Sequence, residues 1–245
     1  MIRFQDVAFA YMKRETVLRN VDLSFEPGVT LLLGPNGCGK STLLKLAAGV
    51  EQPDSGTITV EGHDLWKEEV ASRGELAYLP EHPDLTPYAA IGEVLRLVCR
   101  IRREPVSAAR EALRFFGMES LAGRTVRELS KGQRRRAIFA AALIGDPRYL
   151  LLDEPLDGMD RAVRKEIMLW LDSHLSAGST LVVVSHEIEP FIPLCARAVT
   201  IPDGVPRIHP DLPGDADLRG AFLENLAGSV QADCESRESD GGCRY

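Results

Sequence analysis

Apolar positions along the chain follow two rhythms. Three short runs, Val29-Thr30-Leu31-Leu32-Leu33, Tyr149-Leu150-Leu151-Leu152 and Thr180-Leu181-Val182-Val183-Val184, are almost continuously apolar. Such runs suit strands covered on both faces, as in a parallel sheet. Leu76-Ala77-Tyr78-Leu79 reads as a shorter strand that stops at Pro80. Residues 2–9, 21–26 and 57–61 alternate and predict further strands. Turn residues Pro53-Asp54-Ser55-Gly56 and Gly62 bracket the last of these. Residues 198–201 and 206–209 predict two more around Asp203-Gly204.

The second rhythm is helical. It runs over 43–49, where it stops at a glycine, and from about 91 to 117, where Ile91, Val94, Leu95 and Val98 share a face. Pro105 breaks the longer stretch, and Ser107 is a cap candidate for its second half. Arg96, Arg100, Arg102 and Arg103 fall on the polar side, which reads as a solvated face, with contact to a partner as the alternative. An apolar helix ends at Ile144, closed by Asp146-Pro147, and an amphipathic one covers 161–175. A last helix is predicted over 217–226, and from about Ser229 the polar composition predicts a disordered tail.

Between the strand at 29–33 and the helix at 43–49 lies GPNGCGKST, residues 34–42. This is the strand–loop–helix setting in which G-x-x-x-x-G-K-[ST] has a mechanism. Gly34, Gly37 and Gly39 permit backbone conformations and close approaches that a Cβ resists. Successive N–H groups of Gly34, Pro35, Asn36, Gly37, Cys38 and Gly39 onward (proline excepted) can then form an anion nest, to which the helix N-terminus adds partial positive charge. Lys40 can reach β- and γ-phosphates, Thr42 continues the cradle, and the Ser41 hydroxyl can ligate Mg²⁺.

Other candidates sit at strand ends, where open α/β sheets bind ligands. The strand at 149–152 delivers Asp153 and Glu154, a pair suited to Mg²⁺ and to activating water. The strand at 180–184 delivers Ser185 and His186. Tyr11, just after Phe9, is either an adenine-stacking aromatic or an ordinary loop tyrosine.

Composition narrows the class. Among 245 residues, 29 Lys+Arg against 36 Asp+Glu give a formal net charge of −7, which speaks against nucleic acid as the partner. The five cysteines, Cys38, Cys99, Cys195, Cys234 and Cys243, form no C-x-x-C pair, so neither a disulfide framework nor a zinc site is indicated. The opening MIRFQDVAF is no signal peptide, and the apolar run 137–144 is far short of the roughly 20 residues of a membrane span. A soluble, cytoplasmic protein is expected, with any membrane part on another chain.

Motif order gives the most specific signal. The loop at 34–42 is followed by LSKGQ at 129–133, YLLLDEP at 149–155, LDGMD at 156–160 and His186. Over roughly residues 2–210 this resembles the ATP-binding subunit of an ABC transporter, with Walker A, signature, Walker B, D-loop and switch histidine in order. No N-K-x-D stretch of the GTPase kind is present.

The resemblance implies roles. Tyr11 would stack on adenine, Lys40 and the backbone of 37–42 would hold phosphates, and Ser41 and Asp153 would serve Mg²⁺. Glu154 would be the general base, and His186 would contact the γ-phosphate. Ser130, Gly132 and Gln133 would complete the ATP site of a second subunit in a head-to-tail homodimer or heterodimer. The implied fold is α/β, a P-loop NTPase core with a mostly parallel sheet, an N-terminal antiparallel β portion and a helical insertion at about 85–148. One ATP-binding domain would cover 1–228, with a tail at 229–245.

Two positions depart from the commonest pattern. Lys131 stands where the signature usually has glycine, and Glu81 stands in place of the Q-loop glutamine. Glu81 could still ligate Mg²⁺ through oxygen. The spelling YLPEHP resembles the branch that serves export permeases on separate chains, so export is expected, with residues 81–84 as the coupling region. The subunit would then sit peripherally on the inner face of the membrane. A non-transport ABC ATPase acting on ribosomes or DNA is the alternative. Against it, Lys40 and Ser130 are only 90 positions apart (130 − 40), with no sustained heptads between them.

Overall fold

The computed structural model describes residues 1–12, 15–82 and 86–239. The chain begins with β1 (Ile2–Met12), β2 (Glu15–Phe25) and β3 (Gly28–Leu33), then α1 (Lys40–Ala47), β4 (Ser55–Val60) and β5 (His63–Asp64). Next come α2 (Glu69–Arg73), β6 (Leu76–Leu79), α3 (Ile91–Arg102), α4 (Val106–Phe115) and α5 (Lys131–Leu143). The chain continues through β7 (Tyr149–Asp153), α6 (Arg161–Ser176), β8 (Thr180–Val184), β9 (Cys195–Thr200), β10 (Arg207–His209) and α7 (Ala216–Ser239).

Two sheets result. One is antiparallel, in the order β2-β1-β4-β5, and the other runs β10-β9-β3-β8-β7-β6. In the second, five strands are parallel and only edge strand β10 is antiparallel. The continuous apolar runs are explained by burial on both faces. Leu150, Leu152, Leu181 and Val183 face the core formed with α3–α6, whereas Tyr149, Leu151, Val182 and Val184 face the core shared with α1 and the antiparallel sheet. Each fully buried leucine of this kind stabilises the fold by about 1.5–3 kcal/mol.

Strand register positions the site. β8 lies between β3 and β7, with Leu32 and Asp153 both level with Val184. Leu79 of β6 is level with Leu152. The residues that follow β3, β6, β7 and β8 therefore leave the sheet along one edge.

Several expectations are corrected. β1 extends to Met12 and β2 begins at Glu15, so Tyr11 is a strand residue and not part of a loop. Ser107 is inside α4, whose N-cap is Pro105 without a side-chain cap. Arg102 leaves the solvated face and donates to the Leu76 carbonyl at 2.9 Å. The helix predicted over 217–226 continues to Ser239, into the stretch read as disordered. Extending a formed helix needs no new nucleus, so a polar sequence can continue it. Pro83 and Asp84 of the expected coupling loop, and residues 240–245, lie outside the described residues.

Gly56, in the turn into β4, has φ +79°, and a methyl group there would stand 2.3 Å from the Asp6 carbonyl oxygen. Gly56→Ala should therefore destabilise the protein by about 1–3 kcal/mol in urea melts. A loss below about 0.5 kcal/mol would mean that the β1–β4 contact yields easily.

Candidate active site

The glycine loop leaves β3 and enters α1 at Lys40. Gly39 caps that helix with φ 104° and no side-chain cap. The first bond into the helix is from Leu43 N–H to the Gly39 carbonyl, 2.8 Å, so the amides of 40–42 precede the helical ladder. A Cβ at Gly39 would crowd Leu18 at 3.1 Å, which explains the glycine as packing as well as conformation. Lys40 Nζ donates to the Gly34 and Pro35 carbonyls, both at 2.7 Å, and its ammonium thus lies against the loop. Val230 of α7 is buried and comes within 3.5 Å of the Cβ position of Gly34, a neighbour that the motif does not reveal.

Tyr11 reaches the same region. Its hydroxyl is 3.3 Å from Thr42 Oγ1, and Lys45 Nζ is 5.7 Å from its ring centroid. Phe9 meets the ring edge-on at 4.9 Å, and half of the residue's surface stays exposed. A flat ring held beside the first turns of α1 and open to solvent can stack on a base.

The acidic pair ends β7. Asp153 is buried, and its Oδ1 has no hydrogen-bond partner. Burial pushes its pKa upward, the Glu81 charge adds to this, and a hydrogen bond from Ser41 opposes it. An orphaned carboxylate oxygen beside a serine hydroxyl suits a hydrated divalent cation shared with phosphates. Among the described residues no three His, Cys, Asp or Glu side chains gather as a metal cage, so the protein alone offers only a partial ligand set.

Glu154 takes φ 47°, a left-handed conformation unusual for a residue with a side chain. Its amide donates to the Val184 carbonyl at 2.9 Å, at the end of the β7–β8 ladder. Oε2 accepts from the His186 amide at 3.2 Å, and Oε1 is 3.8 Å from His186 Nε2. Burial raises the Glu154 pKa, Asp153 and Glu81 raise it further, and His186 works against them. A carboxylate made more basic in this way is suited to accept a proton from water. Glu81 is half-exposed, with Oε1 3.5 Å from His82 Nε2.

One residue at this edge was missed by motif reading. Arg135 of α5 is 6% exposed, and its guanidinium meets five main-chain carbonyls. Nη1 donates to Pro80 at 2.7 Å and Glu81 at 3.1 Å, and Nη2 donates to Asp153 at 2.6 Å and to Glu154. Nε donates to Pro155 at 3.4 Å. The β6–β7 register ends at Leu79 and Leu152, just before these segments. A buried carbonyl left unpaired costs about 1–3 kcal/mol. Desolvation lowers the Arg135 pKa, and Asp157, Asp153, Glu154 and Glu81 oppose that. Its signal in the sequence was its spacing from Ile138 and Phe139, which are buried three and four positions on.

The LSKGQ residues form the start of α5. Ser130 and Gln133 make a reciprocal capping box, with bonds of 3.2 and 3.0 Å. A Cβ on Gly132 would stand 2.9 Å from the Gly158 carbonyl oxygen, so this glycine is required for α5 to sit against 156–160.

Comparison with known proteins identifies the family and the fold. The ABC transporter family pattern matches residues 18–157. The taurine import ATP-binding protein of Pseudomonas aeruginosa is 35% identical over 230 residues, 91% of this chain and 85% of that protein. This chain belongs to the ABC transporter family of ATP-binding subunits. It is an ATPase of that family.

Other ABC relatives are similarly distant. The sulfate/thiosulfate import ATP-binding protein of Gloeobacter violaceus is 36% identical over 69% of this chain, which spans about half (51%) of that relative. The Nod factor export ATP-binding protein I of Cupriavidus metallidurans is 36% identical, over 77% of this chain and 64% of its own. A solved ATP-binding subunit of an ABC transporter superposes with TM-score 0.83 over 94% of this chain and 99% of its own; at 24% identity it shows the fold. A dimeric ATP-binding cassette in a post-hydrolysis state, bound to ADP and Pi, superposes with TM-score 0.76 at 26% identity, over 86% of this chain and 98% of its own.

Within the ABC fold, the unusual signature residue Lys131 has a partner. Its Nζ is 2.9 Å from Asp157 Oδ2 in the D-loop, and its side chain points toward Gly158. Arg136 reaches Asp160 at 2.7 Å, and Asp160 also caps α6 through Val163 N–H. The LSKGQ and LDGMD segments are thus held together within the chain.

The raised pKa values carry a stability consequence. A carboxyl whose folded value lies above its unfolded value contributes stability below the unfolded value, and that contribution is lost as pH rises through the folded one. Glu154→Gln removes the charge that folding disfavours. In thermal melts without nucleotide it should raise Tm at about pH 8, by about 2–4 °C for each kcal/mol recovered. The gain should shrink toward about pH 3, where the carboxyl is almost wholly neutral in both states. A Tm change independent of pH would show that burial of this charge costs nothing.

Proposed function

We propose that this chain hydrolyses ATP between two ATP-binding subunits and so drives a membrane permease carried on a separate chain. The observation that supports this most is the Glu154 carboxylate, made more basic by burial and oriented by the His186 amide at the edge where the glycine loop opens. Tyr11 stacks on the adenine. The amides of Gly34 and of Asn36 to Thr42, Cys38 among them, together with Lys40, hold the phosphates. Ser41 and Asp153, with Glu81 beside them, would hold Mg²⁺, which would supply neutralisation of phosphate charge.

Glu154 orients the attacking water and takes its proton as the water oxygen bonds to the γ-phosphorus in line and the bond to the β–γ bridging oxygen breaks, so that ADP and phosphate leave. His186, whose side chain is largely exposed, contacts the γ-phosphate. Ser130, Gly132 and Gln133 of one protomer close over the ATP of its partner, with the N-terminus of α5 directed at the phosphate. The dimeric cassette among the related structures supports this arrangement.

Closing and opening of the dimer is the stroke passed to the permease, through the loop that carries Glu81. Among the described residues no helix is long and apolar enough to cross a membrane, in keeping with a subunit held at the inner face through that partner. Residues 1–228 act as the ATP-binding domain. The export direction expected from YLPEHP finds little support, because the taurine and sulfate/thiosulfate relatives are both named for import.

Glu154→Gln should keep ATP binding, accumulate an ATP-bound dimer in size-exclusion runs with Mg-ATP, and lose about 10²–10⁴-fold in turnover. Wild-type hydrolysis by that variant would remove Glu154 from the base role. Sharing of the site across the dimer has its own test. Chains carrying Ser130→Arg or Lys40→Ala should each be inactive alone, and their mixture should regain part of the ATPase activity through one intact composite site. No recovery in a mixture shown by crosslinking to contain heterodimers would mean that Ser130 does not act on the partner's ATP.

A further inference from the structure

We propose that Arg135 is a positioning residue for hydrolysis, which sets the main chain that presents Glu154 and ties it to the loop that carries Glu81. The inference rests on the reading of Glu154 as general base. A guanidinium has five N–H donors in one rigid plane. Here all five are directed at main-chain carbonyls, of Pro80 and Glu81 on one side and of Asp153, Glu154 and Pro155 on the other. Four carboxylates, on Asp157, Asp153, Glu154 and Glu81, act on the group electrostatically, yet no carboxylate oxygen is among its hydrogen-bond acceptors. Its charge offsets theirs, while its hydrogen bonds are spent on backbone geometry.

The two sets of carbonyls flank the chemistry. Nη2 holds the carbonyls of Asp153 and Glu154, which lie on either side of the Glu154 Cα. That Cα is in the left-handed conformation, at φ 47°, which a residue with a side chain keeps only when its surroundings dictate it. Nη1 holds the carbonyls of Pro80 and Glu81. Because the guanidinium is planar and rigid, a shift of the 80–81 segment moves the plane and with it the peptides around Glu154. A lysine would keep the charge but offer three donors from a single point, too few to span both segments.

The test uses the full chain, with rates referred to the concentration of ATP-binding sites found by titration, so that unfolded material does not count. Arg135→Lys should bind ATP within about twofold of wild type and lose about ten- to a hundredfold in kcat, with KM nearly unchanged. Arg135→Met, which also removes the charge, should in addition move the acidic limb of the kcat–pH profile to higher pH, because the carboxylates lose a nearby cation. Should Arg135→Lys not fold, Arg135→Gln carries the same kcat test.

A wild-type kcat in Arg135→Lys, or a loss of kcat matched by an equal loss of ATP affinity, overturns the inference. Glu154→Gln, run alongside, separates this from failure of the underlying reading. An inactive Glu154→Gln beside a fully active Arg135→Lys removes the positioning role alone. A fully active Glu154→Gln removes the general base, and the inference falls with it.

Discussion

Everything at the site depends on parallel strand pairing. The order β3-β8-β7-β6 places four segments that are far apart in sequence side by side, and parallel register makes their carboxyl ends coincide. Val184 is level with Leu32 on one side and Asp153 on the other. The glycine loop, the acidic pair, His186 and the loop with Glu81 therefore meet without any of them contacting another in sequence. The two hydrophobic cores exist on either side of this sheet and hold the register rigid.

Gathering acids at the end of a buried strand has an electrostatic cost. Asp153 and Glu154 are both pushed upward by burial, and each is pushed further by neighbouring carboxylates. Arg135 is the buried cation that meets this excess, and it works through charge while its N–H groups satisfy main-chain carbonyls. Lys40 brings a second cation from the loop side. Both acids are thus held in a state that costs stability while they are charged.

The departures from the common ABC pattern also have local accounts. Lys131 replaces a glycine at an exposed helix start, and its side chain turns away along the D-loop to Asp157. Gly132, the next residue, has no such freedom, because the Gly158 carbonyl is too close for a Cβ. This difference between adjacent positions explains why one tolerates a long side chain and the other keeps glycine. The export direction expected from the spelling around Glu81, by contrast, is not supported by the import names of the taurine and sulfate/thiosulfate relatives. A few loop residues report on local contacts, and the relatives that share the fold include both import and export proteins.

Much of this was legible along the chain. The buried strands were readable because a strand covered on both faces must be apolar throughout, and β6 and β8 end at the predicted residues. The glycine loop and the acidic pair could be placed along the chain because each directly follows a legible apolar strand. Tertiary structure alone decided what depends on contacts between distant segments. The five carbonyls around Arg135 come from two segments joined only by the β6–β7 pairing. Tyr11 gained its place beside Thr42 because β1 continued further than its alternation implied. Val230 reached Gly34 because α7 propagated into a polar stretch. A sequence records the periodicity of one element at a time, whereas the partners of a buried charge are set by which elements the fold brings together.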